Sequence, residues 1–79
     1  MNEIETQVMA IVADVLNVPV DTLSLDTAFV ADLEADSLDM ITMVMEAEHY
    51  FEIGIPDKDA TALKTIGNAV AYIQKAVTR

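Results

Sequence analysis

Cysteine is absent from the 79 residues, and so is tryptophan. Without a thiol the chain has no disulfide framework, no thiolate metal site and no cysteine nucleophile, so any thiol chemistry must come from an attached group. Aromatic residues make up only 5% of a sequence that is 53% hydrophobic. Its core must therefore be built from Val, Ile, Leu, Met and Ala, which pack adaptably. Glycine and proline number two each, too few for a chain of many tight turns. No apolar run approaches the roughly 20 residues of a membrane-spanning helix, and the start, Met1-Asn2-Glu3-Ile4-Glu5, has no positive segment of the secretory type. The expectation is a cytoplasmic protein with no stable membrane insertion.

Positive charge is the other scarcity. Four Lys and Arg stand against 14 Asp and Glu, a formal net charge of -10. The distribution is lopsided, because residues 1–57 hold 13 acids and no Lys or Arg, whereas 58–79 hold Asp59 with Lys58, Lys64, Lys75 and Arg79. Such a field repels nucleic acid and anionic membranes and steers basic protein surfaces toward the molecule. Taken alone, the acidity is equally consistent with a role in solubility.

Length allows a single small domain, residues 1–79. Ile4, Val8, Ile11, Val12, Val15 and Leu16 recur at helical spacing and predict a first helix over about Glu3 to Leu16, ended by Asn17 and Pro19. A long connection follows to Asp36, in which Leu25, Phe29 and Leu33 are expected anchors and Thr27 to Val30 a short turn. The second helix is predicted from Ser37 to Phe51 or Glu52, with Gly54 and Pro56 as its stop. Pro56 is expected at the first position of a short helix through Leu63. Thr65 caps a last helix whose stripe is Ile66, Ala69, Val70, Ile73, Ala76 and Val77, with Lys75 and Arg79 at its end. The fold class is all-α, a small four-helix bundle of three main helices and one short one, with a long loop between helices 1 and 2.

Chemistry concentrates where the loop becomes the second helix, at Asp32-Leu33-Glu34-Ala35-Asp36-Ser37-Leu38-Asp39. Ser37 or Asp36 is the expected N-cap, and a phosphate on Ser37 would lie in the favourable field of a helix N-terminus. Ser37 is not a hydrolase nucleophile. The glycines of a nucleophile elbow are replaced by Ala35 and Asp39, and the only histidine, His49, lies about 18 Å along the same helix. Asp32, Glu34 and Asp36 alternate like the opening of a calcium loop, but the required Gly and Glu are Ser37 and Met43.

Asp36-Ser37-Leu38 at the head of the second helix resembles the signature of acyl carrier proteins. The flanks Phe29-Val30-Ala31-Asp32-Leu33, Val44-Met45, and Phe51 followed by Ile55-Pro56-Asp57 extend the resemblance in order and spacing, over about Ile4 to Ile73. It implies a free-standing carrier, not an enzyme. Ser37 would bear 4'-phosphopantetheine, delivered from coenzyme A by a phosphopantetheinyl transferase, with Asp36 and Leu38 completing the cofactor-binding motif. Growing acyl chains would travel as thioesters in fatty-acid or related biosynthesis. Asp39, Met40, Val44, Glu46 and Glu48 would face the basic surfaces of acyl-transferring and chain-elongating enzymes, with the carrier a monomer. The sequence departs from the commonest pattern in three places: Thr42 stands where an acid is usual, Glu34 where glycine usually precedes Ala-Asp-Ser, and His49-Tyr50 interrupts an acidic stretch. A specialised polyketide or peptide cargo is the alternative within the family, although the glycine pair of peptidyl carriers is missing. From another class, the rival is an unmodified acidic interaction module.

The Met40-Ile41-Met43-Val44-Met45 segment makes the second helix apolar on more than one face. It is expected to supply core, partner contact through Met40 or Val44, and a cleft able to swell around an acyl chain.

Overall fold

The structure, a computed structural model, describes residues 3–77. Helices α1 (Glu3–Leu16), α2 (Ser37–Phe51), α3 (Asp57–Ala60) and α4 (Ile66–Val77) follow in order, with a 3-10 turn at Val20–Thr22. The all-α bundle of three long helices and one short one matches the expectation, and a β-bridge pairs Ala28 with Thr65.

α1 buries Val8, Met9, Ile11 and Val12 against α2 and α4. It ends where Asn17 turns left-handed at φ 56, a conformation that asparagine tolerates better than most side chains. α2 ends at Phe51, within the expected bounds, but not through a glycine. The left-handed residue is Glu52 (φ 56), whose N–H donates to the Glu48 carbonyl, while neither glycine has positive φ. α3 is also shorter than expected: Pro56 is its N-cap instead of its first residue, and it stops at Ala60. Past that point Ala62 and Leu63 donate to the carbonyls three residues back, Asp59 and Ala60, the tighter 3-10 pattern that closes helices.

At the head of α4 the Thr65 hydroxyl accepts the Asn68 N–H (3.1 Å) while Asn68 Oδ1 accepts from Thr65 (3.2 Å) and Lys64 (3.1 Å). These reciprocal bonds satisfy donors that a helix start leaves unpaired. Ile66, Ala69, Val70 and Ile73 are buried along its inner face, whereas Ala76 is only half-buried and Val77 is exposed. Arg79 lies outside the described residues.

The long connection is fastened by its backbone. Gly67 N–H donates to the Leu25 carbonyl (2.8 Å), Ile66 to Thr27 (3.0 Å) and Phe29 to Lys64 (3.0 Å). Phe29 is buried and Leu33 half-buried, as anchors should be, but the Leu25 side chain is exposed and Leu23 is the buried one. Leu25 holds the loop through its carbonyl. At Gly67 the approach is so close that an added Cβ would lie 2.9 Å from that carbonyl oxygen. Alanine improves an ordinary helical position by about 0.5–1 kcal/mol over glycine, but crowding a packed contact costs about 1–3 kcal/mol. Gly67→Ala is therefore expected to lower the midpoint of urea unfolding. A raised midpoint would show that the loop yields without cost.

Candidate functional site

Two carboxylates build the site's scaffold. Asp36, extended at φ -95 and ψ -179, is the N-cap of α2. Its Oδ1 accepts the Asp39 N–H at 2.8 Å, and Asp39 Oδ2 accepts the Asp36 N–H at 3.2 Å. Of the two caps the sequence allowed, Asp36 serves. Ser37 is the first residue of the helix, exposed, with its hydroxyl outside the cap's hydrogen bonds. The capping carboxylate engages the N–H of Asp39, leaving those of Ser37 and Leu38 for solvent or an anion.

The chain enters this corner under backbone strain. Glu34 has φ 57, a left-handed conformation that glycine adopts freely and that costs other residues about 1–2 kcal/mol. The Glu34 N–H is held by the Val30 carbonyl (3.0 Å), that of Ala35 by Phe29 (3.0 Å), and Asp32 Oδ2 accepts from Ala28 (2.8 Å). Ala35 is buried beneath the turn. Buried Phe29 and Ala35 thus pin the loop immediately before Ser37.

Beside Ser37 runs a groove of about 1060 Å³, whose walls include Val30, Met40, Ile41, Val44, Ile55 and Leu63. Deeper, between α1, α2 and α4, lies an apolar void of about 40 Å³ reached by Phe29, Met40, Val44, Ile55 and Leu63, which line both spaces. Met40 and Val44 are half-buried and pack against the core. The exposed non-aromatic apolar side chains of α2 are instead Leu38 (70%), Ile41 (55%) and Met45 (60%), which lie on one face at i, i+3 and i+7. Ile41 and Met45 were missed by sequence reasoning, although their spacing with Leu38 carried the signal.

The acidic residues divide. Glu46 is exposed. Glu48 is turned inward, its Oε2 accepting the Ile55 N–H at 2.7 Å and bracing the α2–α3 turn. Thr42 Oγ1 donates to the Leu38 carbonyl (2.9 Å) within its own helix. A further brace joins α3 to α4, where the Tyr72 hydroxyl donates to Asp59 Oδ2 at 2.8 Å. No group of three or more His, Cys, Asp or Glu able to hold a metal ion occurs among the described residues, and no helix there is long and apolar enough to cross a membrane.

The helical body presents a serine hydroxyl, exposed at a helix N-terminus and next to a groove, an arrangement able to hold a tethered group. The family model described as "Phosphopantetheine attachment site" matches residues 6–73. The chain is 43% identical over 74 residues to an acyl carrier protein of Akkermansia muciniphila, covering 94% of this chain and 92% of that one. To an acyl carrier protein of Porphyromonas gingivalis it is 41% identical over 75 residues, 95% and 96% of the two chains. A solution structure assigned to an acyl carrier protein of Anaplasma phagocytophilum superposes with a TM-score of 0.86 at 34% identity, covering 94% of this chain and 88% of that one. The chain belongs to the acyl carrier proteins. Its cofactor is 4'-phosphopantetheine, its role is carriage and not catalysis, and its partners include a phosphopantetheinyl transferase and acyl-handling enzymes.

The residues present fit that group. An exposed hydroxyl, two first-turn N–H groups for the phosphate, and a groove alongside are what a phosphodiester-linked arm requires.

Proposed function

We propose that Ser37 is the attachment residue and that the groove beside it receives the cargo of fatty-acid biosynthesis. One observation carries the reading: Asp36 takes the capping role, so the exposed Ser37 hydroxyl is left for modification. When bound, the arm supplies the thiol on which acyl groups are held as thioesters. Asp36 and Asp39 hold the helix start rigid, and the N–H groups of Ser37 and Leu38 stabilise the phosphate charge. The twelve apolar residues around the inner void favour a hydrocarbon chain, whose burial is worth roughly 0.8 kcal/mol per CH₂. Intact mass before and after incubation with coenzyme A and a promiscuous phosphopantetheinyl transferase tests the reading. A gain of one phosphopantetheine on Ser37 supports it, and an unmodified protein that gains nothing would overturn it.

The docking face in this reading combines the Leu38, Ile41 and Met45 stripe with Asp39 and Glu46, on a monomer working in the cytoplasm. Met40 and Val44 serve the groove, and Glu48 serves the α2–α3 turn. Asp39 is a poor probe of docking charge, because its carboxylate also holds the cap. Glu46 is the clean one, and Glu46→Lys is expected to slow encounter with a basic transferase or acyltransferase roughly severalfold at low salt, with the difference shrinking as salt rises. Equal association rates at low salt would remove Glu46 from the interface.

A further inference from the structure

Lys64 is the one Lys or Arg among the described residues that line the groove. The other charged side chains there, Asp36, Glu48 and Asp57, are all acidic, and two of them already accept backbone hydrogen bonds. Lys58 belongs to α3 and Lys75 to the last turn of α4. The backbone of Lys64 is held in place, while its side chain is exposed. Its carbonyl accepts the Phe29 N–H (3.0 Å), the Phe29 carbonyl accepts the Ala35 N–H (3.0 Å), and the Lys64 N–H donates to Asn68 (3.1 Å). Two backbone hydrogen bonds thus connect Lys64 to the segment that delivers Ser37. The charged side chains of residues 1–57 are all acidic, so among the charged residues lining this groove Lys64 alone attracts an anion, alongside the free N–H groups at the start of α2.

We propose that Lys64 pairs with an anionic group of the tethered arm and its cargo, as the groove's counter-charge. This rests on the attachment of the arm to Ser37. The anion has two sources, the phosphodiester next to Ser37 or a carboxylate at the far end of the cargo. A carboxylate would stay in the outer groove, because entering the apolar void would strip its solvation without a partner. Where the carboxylate is the partner, the carrier accepts acids with a second carboxyl group as well as plain fatty chains, sending the two to different depths.

The test uses isotope-labelled lysine in the apo, pantetheine-bearing, pentanoyl-loaded and glutaryl-loaded protein, with the Lys64 ε-methylene signal followed by NMR. Lys64→Gln assigns the signal, and the melting temperature is recorded for each form. The expected result is a Lys64 shift on loading that high salt reverses, together with a gain in melting temperature over the apo form that Lys64→Gln loses. A shift common to all three loaded forms identifies the phosphodiester. A shift confined to the glutaryl form, with that form alone gaining melting temperature through Lys64, identifies the carboxylate. Loaded forms whose Lys64 signal matches the apo protein overturn the pairing alone. Failure to load at all appears in the intact mass and removes both the attachment and the pairing.

Discussion

Ser37→Ala is expected to abolish uptake of phosphopantetheine while leaving the helical circular dichroism of the protein nearly unchanged. The two halves of this result have different physical origins. In the proposed reading uptake vanishes because the variant removes the hydroxyl that carries the arm. The fold survives because the cap belongs to Asp36 and Asp39, and alanine at the first position of a helix is a good helix former. Had Ser37 been the cap, its loss would cost about 0.5–2 kcal/mol and the readouts would fall together. Intact mass and a thermal melt on the same sample separate the cases. Arm uptake by the variant would move the attachment to another residue.

The largest effect on stability is expected at Ile66. Its side chain is 0% exposed, and its N–H reaches the Thr27 carbonyl at 3.0 Å. Ile66→Ala removes buried methyl groups and leaves a cavity, at a cost of about 2–5 kcal/mol. For a domain of this size total stability is about 4–12 kcal/mol, so a large share of it goes. The urea midpoint should fall steeply with the slope unchanged, because the surface exposed on unfolding is nearly the same. A midpoint within a few tenths of a molar of wild type would mean that the α4 contact is not part of the core.

The boundaries of α1 and α2 were legible because their apolar residues keep a helical period and their ends carry strong local signals, Asn17 at one and Asp36-Ser37 at the other. The Asp36-Ser37-Leu38 motif and its flanks pointed to the site in the same way. What could not be read was set by backbone groups distant in sequence. Nothing about the Leu25 side chain foretells that its carbonyl would be the anchor while Leu23 is buried. The left-handed turn at Glu52 misled through composition, since glycine at position 54 is the residue one expects there. The same conformation at Glu34 shows why glycine is usual before Ala-Asp-Ser, and why its replacement drew attention. The division of α2 into a core-facing side with Met40 and Val44 and an exposed side with Leu38, Ile41 and Met45 needed the positions of α1 and α4.

The fastening of residues 25–29 to residues 64–67 bears on when the molecule becomes fit for use. Contacts between segments so distant in the chain form late in folding, after the entropy of closing the intervening loop has been overcome. During synthesis α1 and α2 emerge long before the segment that secures the approach to Ser37. A chain halted ahead of Lys64 would carry the complete motif on an unsecured loop. The last helix thus acts as a completion check, tying the presentation of Ser37 to the arrival of the C-terminal segment.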